Sequence, residues 1–486
     1  MGLAFLIIYA VSLCCILIYS ISQGDLTMRY LRSKKVPQKE PEQPEVWPVV
    51  TIQLPVFNER YVIERLIRKV AKMDYPSDKL EIQVLDDSTD DSLDVARTII
   101  DEIAKEGIDI KHVLREDRSG FKAGALAYGM KVAKGEFLAV FDADFLPEKD
   151  FLKKTIPHFK DEVGAVQARW AHLNEDYSAL TKLQAFGLDG HFRIEQQGRD
   201  SSNSFINFNG TAGVWRKQCI EDAGGWSSDT LTEDLDLSYR AQLAGWQFHY
   251  MEGYTAPAEI PAAIQAVKSQ QYRWNKGGAE NARKNLGNVL RSDLPFRVKA
   301  HAFFHLMNTS IFFFILISAL CSVPLVEYLW VENIDPRILA FTFLFFFGFL
   351  ILTFFYWTAF KQNHSNKFLA GLKFASIFPR FLSLSMGLSW HNTVAVAEGF
   401  LGRKTPFIRT PKFNVVKKTD SMANNRYMSF NLSSVSFVEG ILALYFAYGI
   451  YMGIRLEYFS FLPFHLLLSL GFGSVFVYSI RHSLNR

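Results

Sequence analysis

Five long stretches with almost no polar interruption dominate the hydrophobic pattern of this chain: residues 3–21, 306–326, 338–360, 434–454 and 460–480. Charge enters them only near their ends, and at 1.5 Å per helical residue each can cross a hydrocarbon core of about 30 Å. A sixth apolar stretch, 374–400, carries Pro379, Arg380, His391 and Glu398, poor company for a span facing lipid. The pattern predicts five spans plus an interfacial or re-entrant segment at 374–400.

The region after the first span reads differently. From Val49 to about residue 168, candidate strands at 49–54, 81–86, 110–114, 136–141 and 163–168 alternate with helical patterns at 59–73, 90–106 and 121–133. Strands alternating with helices predict an α/β unit, a mainly parallel sheet covered by helices. The division that follows is an N-terminal transmembrane helix at 1–22, a linker at 23–48 that is proline-rich and charged over 36–48, the α/β domain at 49–300 and a transmembrane region at 301–486.

Charge sets the expected orientation. Arg29, Arg32, Lys34 and Lys35 follow the first span, which lacks a basic start and a small-residue cleavage site. It reads as a signal anchor with the N-terminus outside and the α/β domain in the cytosol. If 374–400 crossed, the basic stretch Arg403 to Arg426 would fall outside. An interfacial reading instead gives a cytosolic loop at 403–428, a cytosolic C-terminus and an acidic outside loop at 327–335. The net charge of +4 over 486 residues gives no reason to expect nucleic acid as a partner. Of the four cysteines, Cys14, Cys15 and Cys321 lie in predicted spans and Cys219 stands alone, so neither a disulfide framework nor a zinc site follows.

Candidate chemistry gathers where the strands end. Asp142 and Asp144 follow the run 136–141, and side chains at i and i+2 of an extended chain point the same way. Two carboxylates so placed suit a hard divalent cation, and through it a diphosphate. Pro55, Phe57 and Glu59 end the first run, where an aromatic ring and a carboxylate frame a planar base; Asp86 and Asp87 end the second, with Ser88 or Asp90 an N-cap for the next helix. Open α/β sheets bind ligands beyond the carboxyl ends of their strands, so these groups share one expected pocket.

Three further stretches belong with them. Gly120-Phe121-Lys122-Ala123-Gly124 opens a helix whose N-terminus and lysine favour a phosphate. Thr230 and Glu233 fit a capping box, which leaves Asp234 unexplained; grouped with Glu233 and Asp236 in a pocket, Asp234 would gain the proton affinity a general base needs. Gln270, Arg273 and Trp274 lie on a helix before the membrane returns, an arginine for a departing diphosphate and a flat ring for a sugar. The small-residue loop Phe208 to Arg216 passes close to a sugar or is a tight turn.

In order, Pro-x-x-Asn-Glu, the Asp-Asp strand end, Lys-Ala-Gly-Ala-Leu, Asp-x-Asp, Thr-Glu-Asp and Gln-x-x-Arg-Trp, flanked by spans, resemble the family 2 glycosyltransferases of GT-A fold, in particular the processive cellulose-synthase-like enzymes. The stretches 166–170, 208–216 and Gly224-Gly225-Trp226 resemble the branch of mannan and glucomannan synthases, cellulose-synthase-like A and C. The resemblance covers about residues 49–290. It implies a membrane-bound inverting hexosyltransferase that extends a β-glycan, cellulose-like or mannan-like, from a UDP- or GDP-hexose, in a bacterial inner membrane or a Golgi-like one.

By the same resemblance, Asp86 or Asp87 contacts the nucleoside, Asp142 and Asp144 hold the diphosphate with Mg²⁺ or Mn²⁺, and Asp234 deprotonates the acceptor beside Glu233. Gln270, Arg273 and Trp274 line the diphosphate and acceptor channel. Phe407, Thr410 and Lys412 are similar to the gating loop of cellulose synthases, with Arg409 standing where valine is expected. Transfer of one sugar to a membrane lipid is the alternative, and a non-catalytic glycan-binding or transport protein a third.

Overall fold

A computed structural model describes residues 2–37, 40–332, 343–422, 425–427 and 434–484. The predicted alternation is present. Strands β1 (Val50–Val56), β2 (Leu80–Asp86), β3 (Ile110–Leu114), β4 (Phe137–Val140) and β5 (Val163–His172) are joined by β6 (Gly213–Arg216) and β7 (Gln247–Ala258) in one sheet of order β3-β2-β1-β4-β6-β5-β7. All pairings are parallel except those of β6 with β4 and β5.

Strand β4 reads as an unbroken apolar run because both faces of the sheet are covered, while β1 interleaves its apolar residues with buried Thr51 and Gln53, which donate to Glu81 and Gln83 of β2. On one face Ile52, Leu54 and Val84 pack against Ile63, Leu66 and Ile67 of helix α2 (Ile63–Val70) and Ile99 and Ile103 of α3 (Ser92–Lys105). On the other, Leu138 and Val140 pack with Ala125 and Leu126 of α4 (Phe121–Val132) and with Leu237 and Ala241 of the helix Glu233–Leu243. Each such side chain taken out of water stabilises the sandwich by about 1.5–3 kcal/mol. Strand order reverses at β1, whose neighbours β2 and β4 precede and follow it, and a crevice opens there beyond the carboxyl ends of the strands.

Helix α1 (Gly2–Ser33) runs past the expected boundary at residue 22 and takes over the first part of the linker. Its polar end is tied down: Asp25 accepts from Arg29 at 2.6 Å and bonds His301 at 2.9 Å, and Lys34 pairs with Glu252 of β7 at 2.5 Å. These partners come from distant sequence, which is why composition alone read the segment as a connector.

Among the described residues, five helices are long and apolar enough to cross a membrane: Gly2–Ser33, Asn308–Val331, Lys367–Gly387, Val435–Arg455 and Phe459–Arg481. The apolar helix Phe343–Phe360 covers most of the predicted span 338–360, whose first residues lie outside the described part, as do 333–335 of the acidic loop and 423, 424 and 428 of the basic one. The stretch expected to be interfacial divides at Leu388. Lys367–Gly387 has the length and hydropathy of a span, and Ser389–Leu401 packs along the helix Ile264–Arg291. Glycine lets Lys367–Gly387 cross its neighbour closely: a Cβ on Gly387 would lie 2.4 Å from the backbone of Gly471.

Candidate active site

At the crevice, one cavity of about 180 Å³ is lined by Pro55, Phe57, Glu59, Asp87, Lys122, Asp142, Asp144, Glu233, Asp234, Gln270, Arg273, Trp274, Phe407, Thr410 and Lys412. The fold thus brings together the residues singled out from the sequence for a site role except Asp86 and Asp236. Asp86 is a correction. As the last residue of β2 it points into the sheet, buried, bonding His112 Nε2 at 2.9 Å and accepting from the Ser88 N–H at 2.9 Å. Its neighbour Asp87 faces the opposite way, into the cavity, where Arg115 Nε donates to it at 2.8 Å.

The acidic strand end is neutralised by two ammonium groups. Lys122 Nζ lies 2.6 Å from Asp142 Oδ1 and 3.9 Å from Glu233, and donates to Gly210 O at 2.9 Å. Lys412, from the far loop, pairs with buried Asp144. Burial works against the Lys122 charge, but Asp142, Glu233 and Asp234 outweigh it and hold its pKa above the usual lysine value. Lys122 reaches this position because Gly120, at φ +70°, turns the chain into α4.

Asp234 sits at the first turn of its helix, and its Oδ1 accepts from the Leu235 N–H at 2.8 Å. Withdrawal from water, then the like charge of Glu233, push its pKa up to about 7 against the pull of Lys122. Of the two expected companions, Glu233 stays beside Asp234 at the cavity and Asp236 does not. The helix is capped at Thr232 with no side-chain bond, so the Thr230–Glu233 capping box does not form and Glu233 is free to line the cavity. Asp236 turns away to Arg240 and Lys284, at 2.8 and 2.9 Å. Gly210, at φ +77°, is the one residue type that fits beside this base: a Cβ would stand 3.1 Å from Asp234 Oδ2.

Two loops complete the walls. Arg273 Nη2 donates to Thr410 Oγ1 at 2.6 Å, and its guanidinium lies 4.8 Å from the Phe407 ring, so the 403–428 loop enters the cavity. Arg409, the departure from the gating pattern, pairs with buried Glu59 at 2.7 Å. Burial pushes the Glu59 carboxyl up to about 7, although Arg409 and Lys412 pull it down. Residues given no individual role from the sequence also line the cavity: Arg118, whose guanidinium stacks 3.3 Å over the Phe57 ring, Trp170 of β5 and Asn209. Trp170 and Asn209 fall in the stretches 166–170 and 208–216 that carry the family resemblance, whereas Arg118 belongs to no such stretch.

A Rossmann-like sheet with acidic strand ends, a lysine at a helix start and an arginine on a neighbouring helix is an arrangement able to hold a diphosphate ester. Residues 48–277 match the family model described as glycosyltransferase like family 2. The chain is similar to glucomannan 4-beta-mannosyltransferase 1 of Oryza sativa subsp. japonica, 43% identical over 271 residues that make up 54% of this chain and 52% of that protein. It is likewise similar to glucomannan 4-beta-mannosyltransferase 7 of Arabidopsis thaliana, 42% identical over 253 residues, 51% of this chain and 46% of the relative. It spans about half the length of these relatives. A mannosyltransferase from Pyrobaculum calidifontis, PcManGT, solved with GDP-Man and Mn²⁺, shares the fold with a TM-score of 0.51 at 18% identity, over 72% of this chain and 97% of that one.

Proposed function

We propose that this protein is a membrane-bound inverting hexosyltransferase that moves a hexose from a nucleoside diphosphate sugar onto a growing β-glycan. The observation that carries it is the convergence of Asp142, Asp144, Asp234 and Arg273 on one cavity beside apolar helices long enough to span a bilayer. The plant relatives support mannose as the sugar and a β-1,4 link, and the archaeal neighbour makes GDP-mannose the first donor to try. The charge pattern after α1 supports a cytosolic catalytic domain with the N-terminus outside.

Each group has a task that follows from its surroundings. Phe57 and Arg118 offer a stacked platform for the base, with Asp87 beside it. Lys122 and Lys412 carry the positive charge that a diphosphate requires. Asp234, poised near neutral pH, takes the proton of the acceptor hydroxyl as that oxygen attacks the anomeric carbon. The bond to the diphosphate breaks on the opposite face, so an α-linked donor yields a β-glycoside. Arg273 stabilises the charge that grows on the departing diphosphate.

The residues also fit a divalent cation. Among the described residues no group of three or more His, Cys, Asp or Glu could hold a metal unaided. Asp142 and Asp144 offer oxygen ligands alone, the donor set for Mg²⁺ or Mn²⁺ that completes its shell with substrate phosphates and water. Bound there, the ion would neutralise diphosphate charge.

The test is turnover of labelled GDP-mannose, UDP-glucose, UDP-galactose and UDP-N-acetylglucosamine by the full-length protein in membranes. A ladder of β-linked oligomers from GDP-mannose is expected. One labelled lipid would favour the lipid-acceptor reading, and the absence of transfer and of donor hydrolysis with all four would favour a non-catalytic protein.

A further inference from the structure

Behind the cavity wall lies a polar relay to which no role has been given. The helix Ala179–Asp189 runs into a π-helical turn, Gly190–Glu195, a rare conformation that places His191 next to the loop carrying Asn209. Glu195, itself buried and paired with Arg199 at 3.2 Å, accepts from His191 Nδ1 at 2.8 Å. A carboxylate on Nδ1 keeps the proton there and leaves Nε2 as an acceptor. Asn209 Nδ2 donates to that Nε2 at 3.3 Å.

The other edge of the same amide is held too. Gln196, the residue after the turn, donates to Asn209 Oδ1 at 2.7 Å and to Asn207 O at 2.7 Å, while the Asn209 N–H donates to Gln167 at 3.0 Å. Asn209 lines the cavity, so its amide is fixed in orientation and keeps one N–H donor unspent.

Its place along the cavity says which substrate it meets. Asn209 precedes Gly210, whose carbonyl accepts from Lys122 at 2.9 Å and on which a Cβ would stand 3.1 Å from Asp234 Oδ2, and so lies at the Asp234 end of the cavity and not beside Phe57 and Arg118. The π-helical turn also packs on the apolar helix Phe343–Phe360, with a Cβ on Gly190 reaching Phe355 at 2.7 Å. This is the side of the cavity that faces the spans.

We infer that His191 is a positioning residue for the acceptor: through its bond to Asn209 it sets an amide that orients the hydroxyl-bearing sugar next to Asp234. The inference rests on the glycosyltransferase reading above, and its test separates the two. His191→Leu, His191→Gln and Asn209→Ala are assayed in the full-length membrane protein for donor hydrolysis by water, donor KM and acceptor KM. Glutamine can place its side-chain oxygen where Nε2 stands; leucine cannot accept.

H191L should raise acceptor KM by about tenfold, the factor one lost hydrogen bond is worth, with donor KM and hydrolysis near wild type, and N209A should raise acceptor KM at least as far. H191Q should restore acceptor KM to within about threefold of wild type. An unchanged acceptor KM in H191L, or equal loss of hydrolysis and transfer in H191L and H191Q, overturns the relay. Should H191L not accumulate, N209A and H191Q decide: an acceptor defect in N209A that H191Q lacks upholds it, and normal acceptor KM in N209A sinks it. A wild-type protein that turns over no donor refutes the glycosyltransferase reading itself.

Discussion

Replacing Asp234 with asparagine removes the proposed base while preserving volume and the bond from the Leu235 N–H, which an amide oxygen accepts as well. A positioned base contributes about 10²–10⁴-fold, equivalent to about 2.7–5.5 kcal/mol of barrier, and D234N should lose at least the lower figure in transfer. Nucleotide binding should survive, because Asp142, Lys122 and Arg273 are untouched. The wild-type pH profile supplies the second half of the test. With the Asp234 pKa raised to about 7, transfer should climb with pH, lying roughly tenfold below its plateau at pH 6.

Stability moves in the opposite sense. A carboxyl whose folded pKa lies above its unfolded value of about 3.9 costs nothing below that pH and progressively more as pH rises toward 7. D234N should therefore melt higher than wild type at pH 8 and much the same at pH 4. Labelled-donor transfer, calorimetric nucleotide binding and melting curves at the two pH values read all three. Near-normal transfer by D234N, or a wild-type rate flat between pH 5.5 and 8, would refute the assignment.

Other expectations follow from the same geometry. Lys122→Met leaves Asp142 and Glu233 without their counter-charge, so donor KM should rise at least tenfold, and the pH midpoint of transfer should move upward because Lys122 holds the Asp234 pKa down. Chelation by EDTA should abolish transfer, with Mn²⁺ or Mg²⁺ restoring it in an initial-rate assay; undiminished activity would count against a cation at Asp142 and Asp144. Asp87→Asn should weaken nucleotide binding in titration calorimetry, whereas Asp86→Asn should leave donor affinity alone and lower the melting temperature by loosening the His112 contact.

Much of the architecture was legible along the chain. The runs 49–54, 81–86, 110–114 and 136–141 match β1 to β4 to within two residues at each end, because their apolar residues supply the core and helical patterns separate them; the polar Thr51, Gln53, Glu81 and Gln83 between them are buried in bonds to one another. Strand β6 escaped notice: Gly213 to Arg216 is too short to show a period, and its antiparallel place between β4 and β5 is a property of the sheet. The acidic motifs were visible because several recur at the ends of successive strands, where an open α/β sheet binds its ligand. Arg118 was not, and the partners of Arg409 and Asn209 were not, since only folding sets these residues against Phe57, Glu59 and His191.

The chain by itself determined which segments are apolar, where strands end and which acidic groups lie near one another in sequence, since these depend on local composition and period. Tertiary structure alone decided that Asp87 and not Asp86 faces the cavity, that Asp236 meets Lys284 of the helix Ile264–Arg291, and that Lys412 crosses 268 residues of chain to Asp144. Which face a side chain takes, and which charge meets it there, depends on partners tens to hundreds of residues away, and local sequence does not encode that meeting.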